Sequence, residues 1–133
     1  MAGERDLRRL LADLRPVRRE GEFVVVSRPR DQRVEVEAAA TVDEGDEGVT
    51  HVVRRELADE RGWAYDFVGA WLTMQVHSAL DAVGMTAAMS TALTEAGISC
   101  NVLAGYHHDH LLVPADRAAD AIAVLRRLGQ DDD

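Results

Sequence analysis

What most constrains this chain is the order in which its apolar pattern switches between helical and strand periods. Leu7, Leu10, Leu11 and Leu14 fall at i, i+3, i+4 and i+7. That spacing predicts a helix with Arg5, Arg8 and Arg9 turned outward, stopped by Pro16. Glu22–Arg28 (EFVVVSR) is valine-rich and reads as a strand. Val34–Val42 alternates, which predicts a second strand with Glu35 and Glu37 on its wet face. Asp43–Gly48 (DEGDEG) is a turn by composition. Val49–Arg54 (VTHVVR) is again a strand, and Glu56–Arg61 is a short helix ended by Gly62. Asp66–His77 predicts a long strand. Val83–Ala96 is helical by period, with Gly97 at the C′ position. Ile98–Tyr106 and His110–Pro114 read as strands. Asp116–Leu128 places Ala118, Ala121, Ile122, Leu125 and Leu128 on one helical face, and the DDD tail is expected to fray.

The order is therefore helix, strand, strand, helix, then one strand, then helix, strand, strand, helix. It repeats in topology and not in obvious sequence. Neither half holds all the strands it needs. The expectation is an α+β fold of two ferredoxin-like units of βαββαβ type, sharing one antiparallel sheet with helices on one face. The units are expected at residues 1–64 and 65–133, with 62–66 a seam and not a flexible linker. A chain of 133 residues buries roughly two thirds of its unfolded surface, so folding requires neither disulfides nor metal.

Charge and cysteine narrow the function classes. There are 15 basic and 24 acidic residues, a formal net charge of −9. That balance argues against nucleic acid or an anionic membrane as a partner, because phosphates reward clustered cations. Every basic residue is arginine. Cys100 stands alone and can form no internal disulfide, which fits a reducing compartment. The charged N-terminus has no signal-peptide core, and no apolar run approaches the roughly 20 residues a membrane helix needs. The expected location is the cytoplasm.

The most specific segment is Ser78-Ala-Leu-Asp81-Ala-Val-Gly84-Met85-Thr86, running into AAMSTALTEAGISCNV. It has an acidic residue, a glycine three positions on, a large apolar residue, a helix bearing Leu93, and Gly97-Ile98 opening a strand. This resembles the ACT domain, a small ligand-binding module of amino-acid metabolism, from about Tyr65 to Leu128. VHSALDAVGMTAAMSTAL together with GISCNVLAGYHHDHLLVP is similar to uncharacterised stand-alone bacterial tandem-ACT proteins. In the first half, FVVVSRP and EGVTHVVRRELAD fit the same layout. The resemblance implies a regulatory or sensing role without catalysis, no cofactor, a homodimer, and a free amino acid or similar metabolite bound where a strand turns into a helix. By that match the site comprises Ser78, Leu80, Asp81, Val83, Gly84, Met85 and Thr86, with Asn101 on the neighbouring strand. Many ACT domains carry proline before the glycine; here Val83 precedes Gly84.

The chemistry of those residues is consistent with a zwitterion. A helix N-terminus offers unpaired N–H groups and partial positive charge to a carboxylate. Gly84 lets a ligand approach the backbone. Asp81 suits an ammonium group, Asn101 offers a donor and an acceptor, and Leu80, Val83 and Met85 would line a side-chain pocket. The plain alternative is that Asp81 caps a helix starting near Ala82, Ser78 satisfies its own backbone, and Asn101 caps a sheet edge.

The tetrad His107-His108-Asp109-His110 is the other conspicuous feature. In a strand, His108 and His110 share one face, with His107 and Asp109 on the other. Two ligands are too few for a structural zinc site, and no Cys-x-x-Cys or HExxH accompanies them. A polar hairpin turn, with Asp109 fixing an imidazole, is the simpler reading. An interface sensitive to pH near neutrality is a further one. No GxSxG or P-loop is present. Ser78 follows His77, but neighbours on a strand face opposite ways, so they form no ready nucleophile–base pair. The two functional readings are thus a non-catalytic amino-acid sensor and a ligand-free oligomerisation module, with metal binding a distant third.

Overall fold

A computed structural model describes residues 3–4, 6–32 and 35–130. Arg5, Val34 and the DDD tail, on which expectations were placed above, lie outside the described residues. Helix α1 (Leu7–Ala12) begins where the Asp6 carboxylate accepts the backbone N–H groups of Arg8 and Arg9, at 3.0 and 3.3 Å. It ends at Ala12 and not at Pro16. Arg15 then takes a left-handed conformation, φ 43°, which turns the chain into a short strand β1 (Pro16–Arg18). Sequence pattern misses β1 because three residues are too few to show a period.

Strand β2 (Phe23–Arg28) follows, then β3 (Ala40–Asp43), β4 (Val49–Arg54) and α2 (Arg55–Arg61). Gly62 closes α2 in the left-handed conformation, φ 68°. Strand β5 (Val68–Met74) is shorter at both ends than the expected Asp66–His77. After it come α3 (Met85–Glu95), β6 (Asn101–Ala104), β7 (Asp109–Pro114) and α4 (Ala118–Gln130). The C-terminus of α3 is a Schellman-type stop: Gly97 has φ 72°, and the Gly97 and Ile98 N–H groups donate to Thr94 and Leu93 carbonyls at 2.9 Å each.

The expected strand over Val34–Val42 is reduced to Ala40–Asp43, which pairs with Val49–Val52 of β4. Val36 and Ala38 instead pack against Val24, Val26, Val53 and Ala58. Their alternation records burial on one side, and β-ladder pairing does not accompany it.

The chain forms two compact units, Met1–Glu20 with Ala70–Asp133, and Gly21–Gly69. Compactness therefore groups α1 and β1 with the second half of the chain, where a division at residue 64 follows chain order alone. In Gly21–Gly69 the strand order is β3–β4–β2, and the first residues of β5 (Val68 and Gly69) lie antiparallel to Val24 and Phe23. In the other unit the order is β1–β5–β7–β6, with β1 antiparallel to Leu72–Met74 and β6 antiparallel to β7. The Met1–Glu20 and Ala70–Asp133 unit thus completes its antiparallel sheet with β1, a strand from the first stretch of the chain.

The core of the larger unit follows from two periods. Ala70, Leu72 and Met74 share one face of β5, and Leu111 and Val113 share one face of β7. Met85, Met89 and Leu93 form an i, i+4, i+8 stripe on α3, and Ala118, Ala121 and Leu125 a stripe on α4. These stripes and Leu10 and Leu14 close one continuous apolar cluster with those strand faces. Met89, Leu93, Leu72 and Leu111 are fully buried, each worth roughly 1.5–3 kcal/mol of burial.

Candidate functional site

The site is built where β5 gives way to α3. Beyond Met74 the Gln75 N–H donates to Leu14 O at 3.0 Å. Residues His77–Ala79 are then held by the N-terminal segment. The Glu4 N–H donates to His77 O at 2.8 Å and the Ala79 N–H to Glu4 O at 2.9 Å, a parallel bridge between Glu4 and Ser78. A turn follows, closed by Ala82 N–H to Ala79 O at 3.0 Å.

Helix α3 starts at Met85, with Gly84 as its N-cap at φ 103°. A side chain is strained at that angle, which explains the glycine. Asp81 is thus not the N-cap of α3, and no side-chain bond caps the helix among the described residues. Its first turn carries the positive end of the helix dipole.

On the other side, β6 and β7 are joined by a turn that the Gly105 N–H closes on His108 O at 2.9 Å. Asp109 opens β7, directly opposite Ala104. Its carboxylate accepts the Ser78 hydroxyl at 2.9 Å. Both residues are buried, each 8% exposed. Asp109 therefore fixes a serine and not an imidazole.

These elements enclose a cavity of about 120 Å³ lined by Ser78, Ala79, Leu80, Ala82, Gly84, Met85, Thr86, Ala104 and Asp109. Five residues singled out from sequence, Ser78, Leu80, Gly84, Met85 and Thr86, come together on it. Three do not. Asp81 is exposed and Val83 is 83% exposed, and neither lines the cavity. Asn101 sits opposite Leu112 at the far end of β6, three residues and so about 10 Å from Ala104. Asp109 and Ala104 are the lining residues that sequence reasoning did not place here. A signal for Asp109 exists: it shares the two-residue period of Leu111 and Val113, which face the core.

The imidazoles gather close by without converging. His77 lies 5.6 Å from His107 and 6.3 Å from His108, centroid to centroid. His108 Nδ1 is 3.4 Å from Val76 O. His110 points elsewhere, with Nδ1 2.9 Å from Thr73 Oγ1 and its ring 5.1 Å from that of Trp71. Burial pushes the His110 pKa down, the His108 charge adds to that, Asp109 opposes it, and Arg19 lowers it slightly. Among the described residues, no three His, Cys, Asp or Glu side chains are arranged to hold a metal ion. Cys100 is half-buried against the core, 4.0 Å from Ser90 Oγ.

Two family models, each described as an ACT domain, match the chain at residues 2–70 and 67–127. The chain belongs to the ACT-domain family. A similar solved structure is a Vibrio cholerae protein of unknown function, titled a possible transport protein. It is 35% identical, covers 93% of this chain and 96% of its own, and superposes with a TM-score of 0.78. Two others share the ACT fold at low identity. The aspartokinase alpha and beta subunits are 15% identical, with coverage of 86% and 97% and a TM-score of 0.63. The ligand-free regulatory subunit of aspartate kinase from Thermus thermophilus is 12% identical, with coverage of 85% and 95% and a TM-score of 0.59. No curated protein matches the chain. Among the described residues, no helix of this ACT protein is long and apolar enough to cross a membrane.

Proposed function

We propose that this ACT-domain protein is a non-catalytic regulator that binds a free amino acid or a similar small metabolite at the turn from Ser78 to Thr86. The observation that carries this reading is the cavity at the uncapped N-terminus of α3, walled by that turn on one side and by Ala104 and Asp109 on the other. Five of the residues that the family resemblance nominated line it. The Ser78 hydroxyl is engaged by Asp109 and not by a histidine, which favours binding over nucleophilic chemistry at this place. The neighbours titled as regulatory subunits of aspartate kinase are consistent with such a role. Ligand would act by favouring one arrangement of the protein over another, in proportion to its differential affinity.

Thermal denaturation monitored against each of the twenty amino acids tests this. A true ligand at a hundredfold excess over its Kd stabilises by about 2.7 kcal/mol. A flat response to all twenty at millimolar concentration would reject the sensor.

A second reading, an interaction module without ligand, is favoured by three large apolar side chains left in solvent. Leu80, Val83 and Tyr106 are 68%, 83% and 69% exposed. The outer edge of β6 has no partner strand among the described residues, so a homodimer through that edge is part of the proposal. Light scattering on the eluting protein, with and without the stabilising amino acid, separates the readings. A dimer indifferent to every amino acid supports the second.

A further inference from the structure

Asp109 is an anion that the fold leaves incompletely answered. It is 8% exposed, yet Ser78 is its hydrogen-bond partner and no cation pairs with it among the described residues. Burying a charge without a counter-charge is costly. The carboxylate lines a cavity. The other polar features of that cavity are Ser78, Thr86 and the α3 N-terminus, where Met85 and Thr86 contribute to the lining and no side chain caps the helix among the described residues. One end of the cavity thus presents a carboxylate and another presents backbone N–H groups.

The size of the space restricts what joins them. A cavity of about 150 Å³ accommodates one benzene ring, six heavy atoms. The 120 Å³ here therefore matches about five heavy atoms. Beyond Ser78 and Thr86 the remaining lining is small or apolar: Ala79, Leu80, Ala82, Gly84, Met85 and Ala104. Nothing in it answers a charged side chain other than Asp109 itself.

Resting on the reading that an amino acid binds here, we propose that Asp109, oriented by Ser78, is the seat of the ligand's α-ammonium group, and that the ligand is a small amino acid of the size of glycine, with alanine at the upper limit. The α-carboxylate takes the N–H groups at the start of α3. Asp109 then discriminates on charge and the cavity walls discriminate on size. The carboxylate of Asp81, outside the cavity, has no part in this seat.

The test is calorimetric titration of the full chain with glycine, L-alanine, L-leucine, L-phenylalanine and L-lactate. Lactate replaces the ammonium group of alanine by a hydroxyl and keeps the rest. The expected result is binding of glycine, alanine or both, with leucine, phenylalanine and lactate each weaker by roughly tenfold or more. Asp109→Asn, close in shape, is expected to lose a similar factor for the small amino acid. The alanine–lactate comparison carries the charge test in the wild type should that variant not fold. Lactate binding as well as alanine, or a folded Asp109→Asn chain binding as well as wild type, overturns the ammonium seat while amino-acid binding stands. Leucine or phenylalanine binding as tightly as alanine overturns the size class alone. No response to any amino acid overturns the seat together with the reading on which it rests.

Discussion

The Ser78 hydroxyl donates to the Asp109 carboxylate at 2.9 Å across 31 residues of chain, and both side chains are buried. This bond ties the end of the segment after β5 to the first residue of β7, and so fixes two walls of the cavity relative to each other. Removing the hydroxyl by Ser78→Ala leaves a buried carboxylate with one fewer donor. The expected cost is about 1–3 kcal/mol, since the partner keeps its desolvation penalty after losing its bond. Urea denaturation should show a lowered midpoint with an unchanged slope. Ser78→Thr keeps the donor and should recover most of the loss; equal stability of Ala and wild type would mean the bond contributes nothing.

Gly84 is the hinge between the turn and α3. At φ 103° a Cβ is strained wherever it points, and one built there would also stand 3.2 Å from Leu7 Cδ2. Gly84→Ala is expected to destabilise by about 1–2 kcal/mol. The comparison is Gly45→Ala, also at positive φ (67°) but with nothing within 4 Å of the added methyl. A larger loss at Gly84 than at Gly45, read from thermal midpoints, is expected from the contact with α1 together with the greater strain of φ 103°, since φ 67° lies in the left-handed region that L residues occasionally adopt.

How much of this could be read from sequence depended on the range of the interaction. Local signals transferred well. Gly62 and Gly97 end their helices in the left-handed conformation, and VTHVVR is β4 residue for residue. The turn to α3 was located because its glycine and apolar residues are adjacent in the chain. Proximity along the chain nominates Asp81 as the carboxylate beside that turn, whereas Asp109 stands in the histidine tetrad. Only topology brings β7 beside β5, and that is what carries Asp109 to Ser78. Likewise Asn101 and Ala104 are equivalent as members of one strand, and only the register with β7 decides which end reaches the cavity.

Gly3 allows the N-terminal segment to lie against the site. A Cβ at that position would fall 2.5 Å from the carbonyl carbon of Ser78 and 2.6 Å from the Ala79 nitrogen, both backbone atoms that have little room to yield. Gly3→Ala should therefore displace this segment and break the bond from the Ala79 N–H to Glu4 O, which is 2.9 Å long. Amide hydrogen exchange reads this directly. The Ala79 amide should exchange faster in the variant, while amides within α4 keep their protection. Unchanged protection at Ala79 would show that the segment does not guard this backbone.

His110 makes stability depend on pH in a direction that can be worked out. Burial is the main cause holding its pKa below the ordinary imidazole value of 6.5, and the charge of His108 adds to it. The unfolded chain therefore takes up this proton at a higher pH than the folded one does. Below 6.5 and down to the lowered folded value, the unfolded state binds more protons, so stability rises with pH through that window. The contribution of neutral His110 is fully present above 6.5 and is lost as the pH falls. The ring also sits 5.1 Å from that of Trp71 and 2.9 Å from the Thr73 hydroxyl, so a replacement should keep a side chain of similar polarity that does not titrate. His110→Gln is expected to flatten the fall in thermal midpoint between pH 6.5 and 5, even where its stability at pH 8 is lower than wild type. A fall as steep in the variant as in wild type would assign the acid sensitivity to other groups.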